Sequence, residues 1–544
     1  MNVDAPIIVA GAGPVGTCLA IDAALRGVPV IVIEPRAAGD PPDAKCNTIA
    51  ARTMETFRRF GIADKIRAAG LPDTYPTDTL YTTSLSGPEL TRITMPARSE
   101  RGNLGFLDSN WPTPEPMVRE SQLWLEPILR EKMLTLNMIR FLPRSEVSGY
   151  SQDETGVTVH CRALDDDRSY DLRSAYLVGC DGGSSRVRKT MRVKLSGDAE
   201  IARTRTTLIR SKEVKSLFGD RRSAWMSWVV NHKARGNVIA IDGEELWLVH
   251  RGLWGGQIDF ESIDFDQSIR DVLGVGPEFP FEIVKHEDWI GRRLVADRFR
   301  DGRVFIAGDA AHLWVPYAGY GMNAGIADAM NLSWLLCSAL KGWADAAIID
   351  AYEAERLPIT DQVSRFAMGK LEENAAAVST RAVPPALSGK GFVSKLLRKK
   401  LGQKLYAINA PQMSPEGLNF GYYYTGSPII IEDGESAPTY DMGSFVSSTV
   451  PGCRLPHFYV DGTSIVDLLG PDYTLIRFAP EVDVNKLIET GLPVKLVNAR
   501  HPGDSVFRHK LLIVRSDMHI AWRGDTLPTD ITSLSDRLRG KVDE

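Results

Sequence analysis

Three clusters of glycine and acid carry residue types that could hold a long, doubly phosphorylated ligand. Gly11-Ala12-Gly13-Pro14-Val15-Gly16 is followed, one strand later, by Glu34. In such an arrangement the first glycine makes the turn and the second admits a pyrophosphate. The third lets helix and strand approach, and the acid takes ribose hydroxyls. Glu34 would repel a 2′-phosphate, so the adenosine diphosphate of FAD or NAD fits better than that of NADP. The second cluster is Asp181-Gly182-Gly183, ahead of Arg186 and Arg188. The third is Gly308-Asp309, where the glycine permits close backbone approach and the carboxylate accepts from a sugar or polyol hydroxyl. Pro316, Gly319 and Gly321 then shape a loop. Three separated ends of this kind could converge on one ligand if it is extended, which favours a flavin dinucleotide over NAD.

Each cluster must be presented by a strand. Residues 7–10, 28–34, 176–179 and 304–307 are short apolar runs of the type that forms buried strands. An apolar helix follows Gly16 to about Arg26. A longer one, from about Asn323 to Leu340, would aim its positive N-terminus and free N–H groups back over the loop, where an electron-rich ligand edge would suit it.

A chain of 544 residues needs at least two domains, here read as three regions, and can bury a large ligand. Hydrophobic content of 43%, charged content of 24% and a net charge of −5 are globular values that give no reason to invoke nucleic acid. Six cysteines show neither CxxC pairing nor metal spacing, so no metal is expected and a reducing cytoplasm is the simplest home. No apolar run reaches the roughly 20 residues of a spanning helix, and the first residues enter a strand without a basic leader, so no membrane is expected.

Taken together, GAGPVG at 11–16, CDGGSSRVR at 180–188, and GDAAH with GYGMNAGIADAMNLSW between 308 and 334 resemble the three fingerprints of the flavoprotein aromatic hydroxylases. These are single-component FAD monooxygenases with the p-hydroxybenzoate hydroxylase fold. ARTME at 51–55, RESQ at 119–122 and EPIL at 126–129 extend the likeness over roughly residues 5–370. The branch resembled is that of phenol hydroxylase and 3-(3-hydroxyphenyl)propionate hydroxylase. The resemblance implies an α/β fold: an FAD-binding Rossmann-like domain with an inserted antiparallel-sheet substrate domain, plus a C-terminal thioredoxin-like domain. The FAD-binding unit would span 1–370, with 76–110 and 195–295 mainly substrate-domain segments, and a helical connector would follow at 371–433. The thioredoxin-like domain, without CxxC, would occupy 434–544.

Carried over by position, the resemblance gives Gly11, Gly13, Gly16 and Glu34 the ADP half of FAD and sets Arg119 and Gln122 near the flavin or pyrophosphate. Asp181 belongs to a fingerprint tied to both FAD and nicotinamide dinucleotide, and Gly308 with Asp309 takes the ribitol or pyrophosphate. Pro316, Gly319, Gly321, Met322 and Asn323 would line the pyrimidine edge of the flavin. Lys45 stands where relatives usually carry arginine, which keeps the charge and loses the fork. Ala318-Gly319-Tyr320-Gly321 replaces a usual Gly-Gly-Gln-Gly, and Tyr320 could contact flavin or substrate or simply pack against the loop.

Residues 224–230, 238–241, 245–250 and 256–260 alternate apolar and polar as antiparallel strands do, with Trp225, Trp228, Trp247 and Trp254 in or beside them. In the family this sheet roofs the substrate cavity, although each tryptophan alone reads more simply as core. A phenol must lose its proton, and Tyr317, Tyr320, His232 and His250 are candidates for that task, none of them assigned. The basic residues between Lys390 and Lys404 read as a solvated helix face. Beyond Gly434, segments 451–457, 473–478, 511–517 and 520–523 resemble the appended thioredoxin-like domain. Lacking CxxC, it would serve structure or oligomerisation, with a homodimer as the candidate assembly.

The implied activity is hydroxylation of a small aromatic, phenolic substrate by O₂, with NADPH or NADH reducing FAD and a flavin C4a-hydroperoxide delivering oxygen. The same fold would also serve an epoxidase or Baeyer–Villiger oxygenase acting on a polycyclic or antibiotic-like substrate. A different class, a non-catalytic flavin-bound sequestering protein, is opposed by the intact fingerprints.

Overall fold

The computed structural model describes residues 3–45, 48–103, 105–231, 234–253, 260–262, 264–314, 319–377 and 384–541. Its first sheet runs in the order Arg300–Asp301, Val304–Ile306, Ser169–Gly179, Ala5–Ala10, Val30–Glu34, Ile139–Pro143. All neighbours are parallel except the first pair. Parallel strands are covered on both faces, so they read as unbroken apolar runs; Ile7, Ile8 and Val9 are fully buried. The long strand Ser169–Gly179 serves two sheets' worth of pairing. Its first half carries the hairpin Ser145–Asp153 and Gly156–Ala163, and its second half lies beside Ala5–Ala10.

The three glycine-acid clusters therefore leave the carboxyl ends of adjacent strands, which is where open α/β sheets bind ligands. Helices Pro14–Leu25 and Gly321–Leu340 pack together behind them. The second helix begins two residues earlier than the sequence suggests.

A second sheet has the order His312–Leu313, Glu282–Ala296, Leu195–Arg210, Leu246–Leu253, Arg235–Ala240, Met226–Val230, Thr79–Thr82, Glu89–Ile93. Three of the four strands expected by alternation are present with shifted ends; the fourth, 256–260, lies almost wholly outside the described residues. Helix Phe265–Leu273 covers one face, with Val272 against Gly236 and Arg251 Nη1 2.7 Å from Asp271. Helix Phe392–Met413 lies along the outer strand, where any side chain at Gly402 would collide with the Leu90 carbonyl. Lys395, Lys399 and Lys400 remain exposed on it, as a solvated basic face requires.

The C-terminal unit carries a four-stranded sheet in the order Val494–Asn498, Tyr473–Arg477, Leu511–Arg515, Ile520–Gly524. The first pair is parallel and the other two are antiparallel. Buried ion pairs fasten this unit to the first. Arg515 meets Glu355 with Nη2 2.9 Å from Oε2, and neither side chain is exposed. Glu355 also accepts from Asn331 at 2.6 Å and Ser427 at 2.6 Å. Arg454 Nη2 spans both oxygens of Glu55 at 2.7 Å. Charges taken this far out of water persist only when paired and hydrogen-bonded, so the two units are ordered together.

Candidate active site

At the first cluster Gly11 and Gly16 leave no room for a side chain. Gly11 has φ +102°, and a β-carbon there would run into the Cys180 carbonyl. One at Gly16 would strike Gly11 itself. Above Gly13, by contrast, a β-carbon would meet nothing within 4 Å, so this glycine keeps a space open. Glu34 is buried and its Oε2 accepts the Ala12 N–H at 2.7 Å, which orders the turn. Its other oxygen takes Arg36 Nε at 2.9 Å. Arg36, not singled out by the sequence, also reaches Glu126 Oε2 at 3.2 Å. Burial pushes the Glu126 carboxyl up, and Arg36 opposes it.

The second and third clusters are stapled to each other. Asp181 Oδ2 accepts from the N–H groups of Arg186 at 2.7 Å and Val187 at 3.1 Å, while its buried Oδ1 has no partner. Arg188 donates to Ala310 O at 2.8 Å and Gly183 O at 2.7 Å. Gly308, at φ +60°, gives its N–H to Asp328 Oδ2 at 3.2 Å. The same oxygen lies 2.7 Å from His312 Nε2, and Arg356 Nε donates to Oδ1 at 2.8 Å. Burial works to raise the Asp328 carboxyl, but Arg356 and His312 outweigh it and hold it below the usual range. Asp309 is crowded by protein yet keeps an exposed side that opens onto the groove. Burial pushes its carboxyl up, against His312 and Lys45.

At the far end, Asn323 has all four of its amide hydrogen bonds made. Oδ1 accepts from Ala50 N at 2.9 Å and Thr53 Oγ1 at 2.8 Å, and Nδ2 donates to Thr48 O at 3.0 Å and Gly319 O at 2.8 Å. The side chain is thus a clamp, and what this helix end can offer a ligand is the backbone N–H groups of its first turn, Gly321 to Asn323. Met322 Sδ lies 3.8 Å from Gln122 Nε2, and the Gln122 N–H donates to Lys45 O at 3.0 Å. Lys45 Nζ is 3.3 Å from Glu287 on the second sheet.

Arg119 is drawn toward that sheet as well. It holds Thr48 Oγ1 at 2.7 Å and Met413 O at 2.8 Å, with its guanidinium 4.4 Å over Trp225. Burial pushes its pKa down to about 10. Pro316 and Tyr317 lie outside the described residues, as do His232 and Trp254. Tyr320 stacks on Trp314 at 6.3 Å and 11° and is buried in a cluster with Tyr422 and Tyr424. Of the open readings of this residue, the geometry matches packing against the loop. Burial also lifts its hydroxyl far above the ordinary phenol value.

Cross-strand pairing places Tyr81, Trp228, Asn237, His250, Thr206 and Glu287 in one row on a single face of the second sheet. Helix Phe265–Leu273 covers the opposite face, while Glu287 and Lys285 of this face pair with Lys45 and Asp43, and the Lys45 carbonyl is bonded to Gln122 beside Met322. The row therefore looks toward the glycine-acid groove. Tyr81 and Trp228 stack at 6.4 Å and 8°. Trp289 Nε1 donates to Thr206 Oγ1 at 2.9 Å, and the same hydroxyl is hydrogen-bonded to His250 Nδ1, 2.7 Å away. Trp228 Nε1 and Asn237 Oδ1 are buried with no hydrogen-bond partner. Burial pushes the His250 imidazolium down to about 4, so the ring is neutral near pH 7. Trp247, by contrast, donates to Ser211 O at 3.0 Å deep in the core.

A space kept open over Gly13, a buried Asp181 oxygen without a partner and Asp309 opening onto the groove fit an extended dinucleotide. The fold and this groove define a flavin-binding oxygenase unit, and the chain belongs to the FAD binding domain family, whose model matches residues 4–367. It is 28% identical to the FAD-dependent monooxygenase apdD of Emericella nidulans, over 96% of this chain and 88% of that one. To phenol 2-monooxygenase of a Pseudomonas species it is 27% identical, over 99% and 93%. Among solved structures, RebC with bound 7-carboxy-K252c superposes with a TM-score of 0.89 at 30% identity, covering all of both chains. The protein is an FAD-dependent monooxygenase with NAD(P)H as reductant. No helix of the described residues is long and apolar enough to cross a membrane.

Proposed function

We propose that this enzyme hydroxylates an aromatic, phenolic substrate held between the groove and the row Tyr81, Trp228, Asn237, His250, Thr206. The observation that carries this reading is the pair of unpartnered buried groups in that row. Trp228 Nε1 can only donate and Asn237 Oδ1 can only accept, which suits a ring bearing both an oxygen acceptor and a hydroxyl.

FAD, reduced by NAD(P)H, supplies the activated oxygen when bound. Gly11, Gly13, Gly16 and Glu34 would hold its ADP half, and Asp181, Gly308 and Asp309 would hold its middle. The first-turn N–H groups at 321–323 favour negative charge at the ligand edge they face. Lys45, Arg119 and Gln122 set the loop against the substrate sheet. With a conjugate acid near 4, His250 is a poor acceptor for a phenol proton of pKa near 10, so its part in the row is to orient substrate as a neutral hydrogen-bonding ring. Residues 1–370 form the catalytic unit, 371–433 the connector, and 434–544 a thioredoxin-like domain that stabilises the assembly, a homodimer, in the cytoplasm.

A polycyclic substrate is the second reading. The row crosses five strands, roughly 19 Å at the usual strand spacing, which is longer than a single ring needs. Anaerobic reduction of the holoenzyme by NADH and by NADPH, with single-ring and fused-ring phenols, followed by addition of ¹⁸O₂, tests both readings. Ligand-accelerated reduction and a labelled product are expected; coupled turnover that leaves every phenol unlabelled would sink the hydroxylase assignment.

A further inference from the structure

Helices Ala51–Arg59 and Gly321–Leu340 and the C-terminal segments around 466–470 and 516–518 enclose a cavity of about 300 Å³. One part of its wall is apolar and adaptable: Ile326, Met330, Leu469 and the rings of Tyr320, Tyr422 and Tyr424. Another part is charged and balanced in number, Arg52, Arg59 and Arg454 standing beside Glu55, Asp467 and Asp517, but two of its guanidinium nitrogens are unpaired. Arg454 gives Nη2 to Glu55, and its Nη1, shut off from bulk water, has no partner. Arg52 lies 4.1 Å over the Tyr422 ring, and no carboxylate among the described residues is within ion-pair distance of it. Its Nη2 donates to His519 and to Asp517 O at 3.4 Å; the other nitrogen of His519 donates to Gly452 O at 2.7 Å, and burial keeps that imidazole neutral. Arg52 Nη1 also lacks a partner.

Buried guanidinium nitrogens rarely go unpaired, and two of them beside an aromatic wall match a carboxylate on an apolar body. We propose that this interdomain cavity binds a monocarboxylate with a ring-sized apolar body, its charge on Arg52 and Arg454 and its ring against the tyrosines and Met330. The site is separate from the substrate row and uses none of its residues.

The test is a crystal of the full-length holoenzyme soaked with 4-bromobenzoate, the bromine located by anomalous scattering, together with calorimetric titration of the same compound. Bromine in this cavity is expected, with affinity lowered at least about tenfold by Arg52→Met, the loss of one charge-assisted contact. Ala327→Trp, which fills the cavity and leaves both arginines in place, should abolish the interdomain bromine while the circular dichroism spectrum stays native. Bromine found only over the substrate sheet, or nowhere at saturation, overturns the proposal. So does unchanged affinity in Arg52→Met or an undisturbed bromine site in Ala327→Trp.

Discussion

The Asp328 carboxylate lies 2.7 Å from His312 Nε2, and through the same oxygen it holds the Gly308 N–H. The loop that presents Asp309 is therefore fixed from beneath by a residue of the helix into which it leads. Asp328→Asn keeps the shape and removes the charge, leaving Arg356 buried without its counterion. Weaker FAD binding by about 10- to 100-fold and a stability loss of about 3 to 5 kcal/mol are expected. Flavin-to-protein absorbance ratios and thermal melts with and without excess FAD would show them. A variant that keeps flavin at wild-type affinity would mean that this carboxylate does not shape the site.

Gly13 and Gly16 separate binding from folding. A methyl group at Gly13 meets open space, whereas one at Gly16 strikes the Gly11 carbonyl. Gly13→Ala should melt like the wild-type apoprotein yet lose FAD affinity, because the methyl occupies the space kept for pyrophosphate. Gly16→Ala should lower the melting temperature of the apoprotein itself. Parallel melts and FAD titrations decide the matter, and identical behaviour of the two would refute the assignment.

Arg515 and Glu355 are joined across 160 residues of chain with no exposure to solvent. Truncating Arg515 to alanine strands a buried carboxylate and should cost about 3 to 5 kcal/mol. Arg515→Met combined with Glu355→Gln should recover part of that loss, because Glu355 is no longer stranded, while Asp517, 2.8 Å from Arg515 Nη2, still loses its partner. Denaturant titration of the two singles and the double gives the coupling energy; strict additivity would show that the pair does not interact.

Glu120 is buried, and burial pushes its carboxyl up to about 8, with the Ser121 N–H and Arg98 opposing. The native state then holds a proton that the unfolded chain releases from near 4.5, so stability falls as pH rises from about 4.5 to 8. Linkage puts the loss at roughly 3 kcal/mol by pH 7. Glu120→Gln should be as stable as wild type near pH 4.5 and more stable at pH 7. Melting temperatures at half-unit steps between those limits would reveal the widening gap, and parallel curves would contradict it.

Local backbone geometry explains why so much of the nucleotide groove was legible in the sequence. Gly11 and Gly308 take the positive φ of local turns, Gly16 is pressed against Gly11 five residues back, and Glu34 ends the next strand. Asp328 and His312 were overlooked because their contact joins a strand to a helix across a loop, although GDAAH followed by Asp328 on the inner helix face was the available signal. Alternation announced the second sheet but not its register. The row from Tyr81 to Thr206 draws on strands far apart in sequence and exists only once pairing is known. Tyr320 stood open because its partners, Tyr422 and Tyr424, arrive about a hundred residues later.

The Glu355 to Arg515 pair also bears on how the molecule is made. A ribosome finishes the groove-forming strands and the helix bearing Glu355 long before Arg515 has been translated. Until then that acid and Asn331 beneath it lack their cation, and the back of the helix behind Asp309 is bare. Stable cofactor loading is thus expected only once residue 515 has been made and has left the ribosome, and nascent chains stalled short of it should emerge colourless.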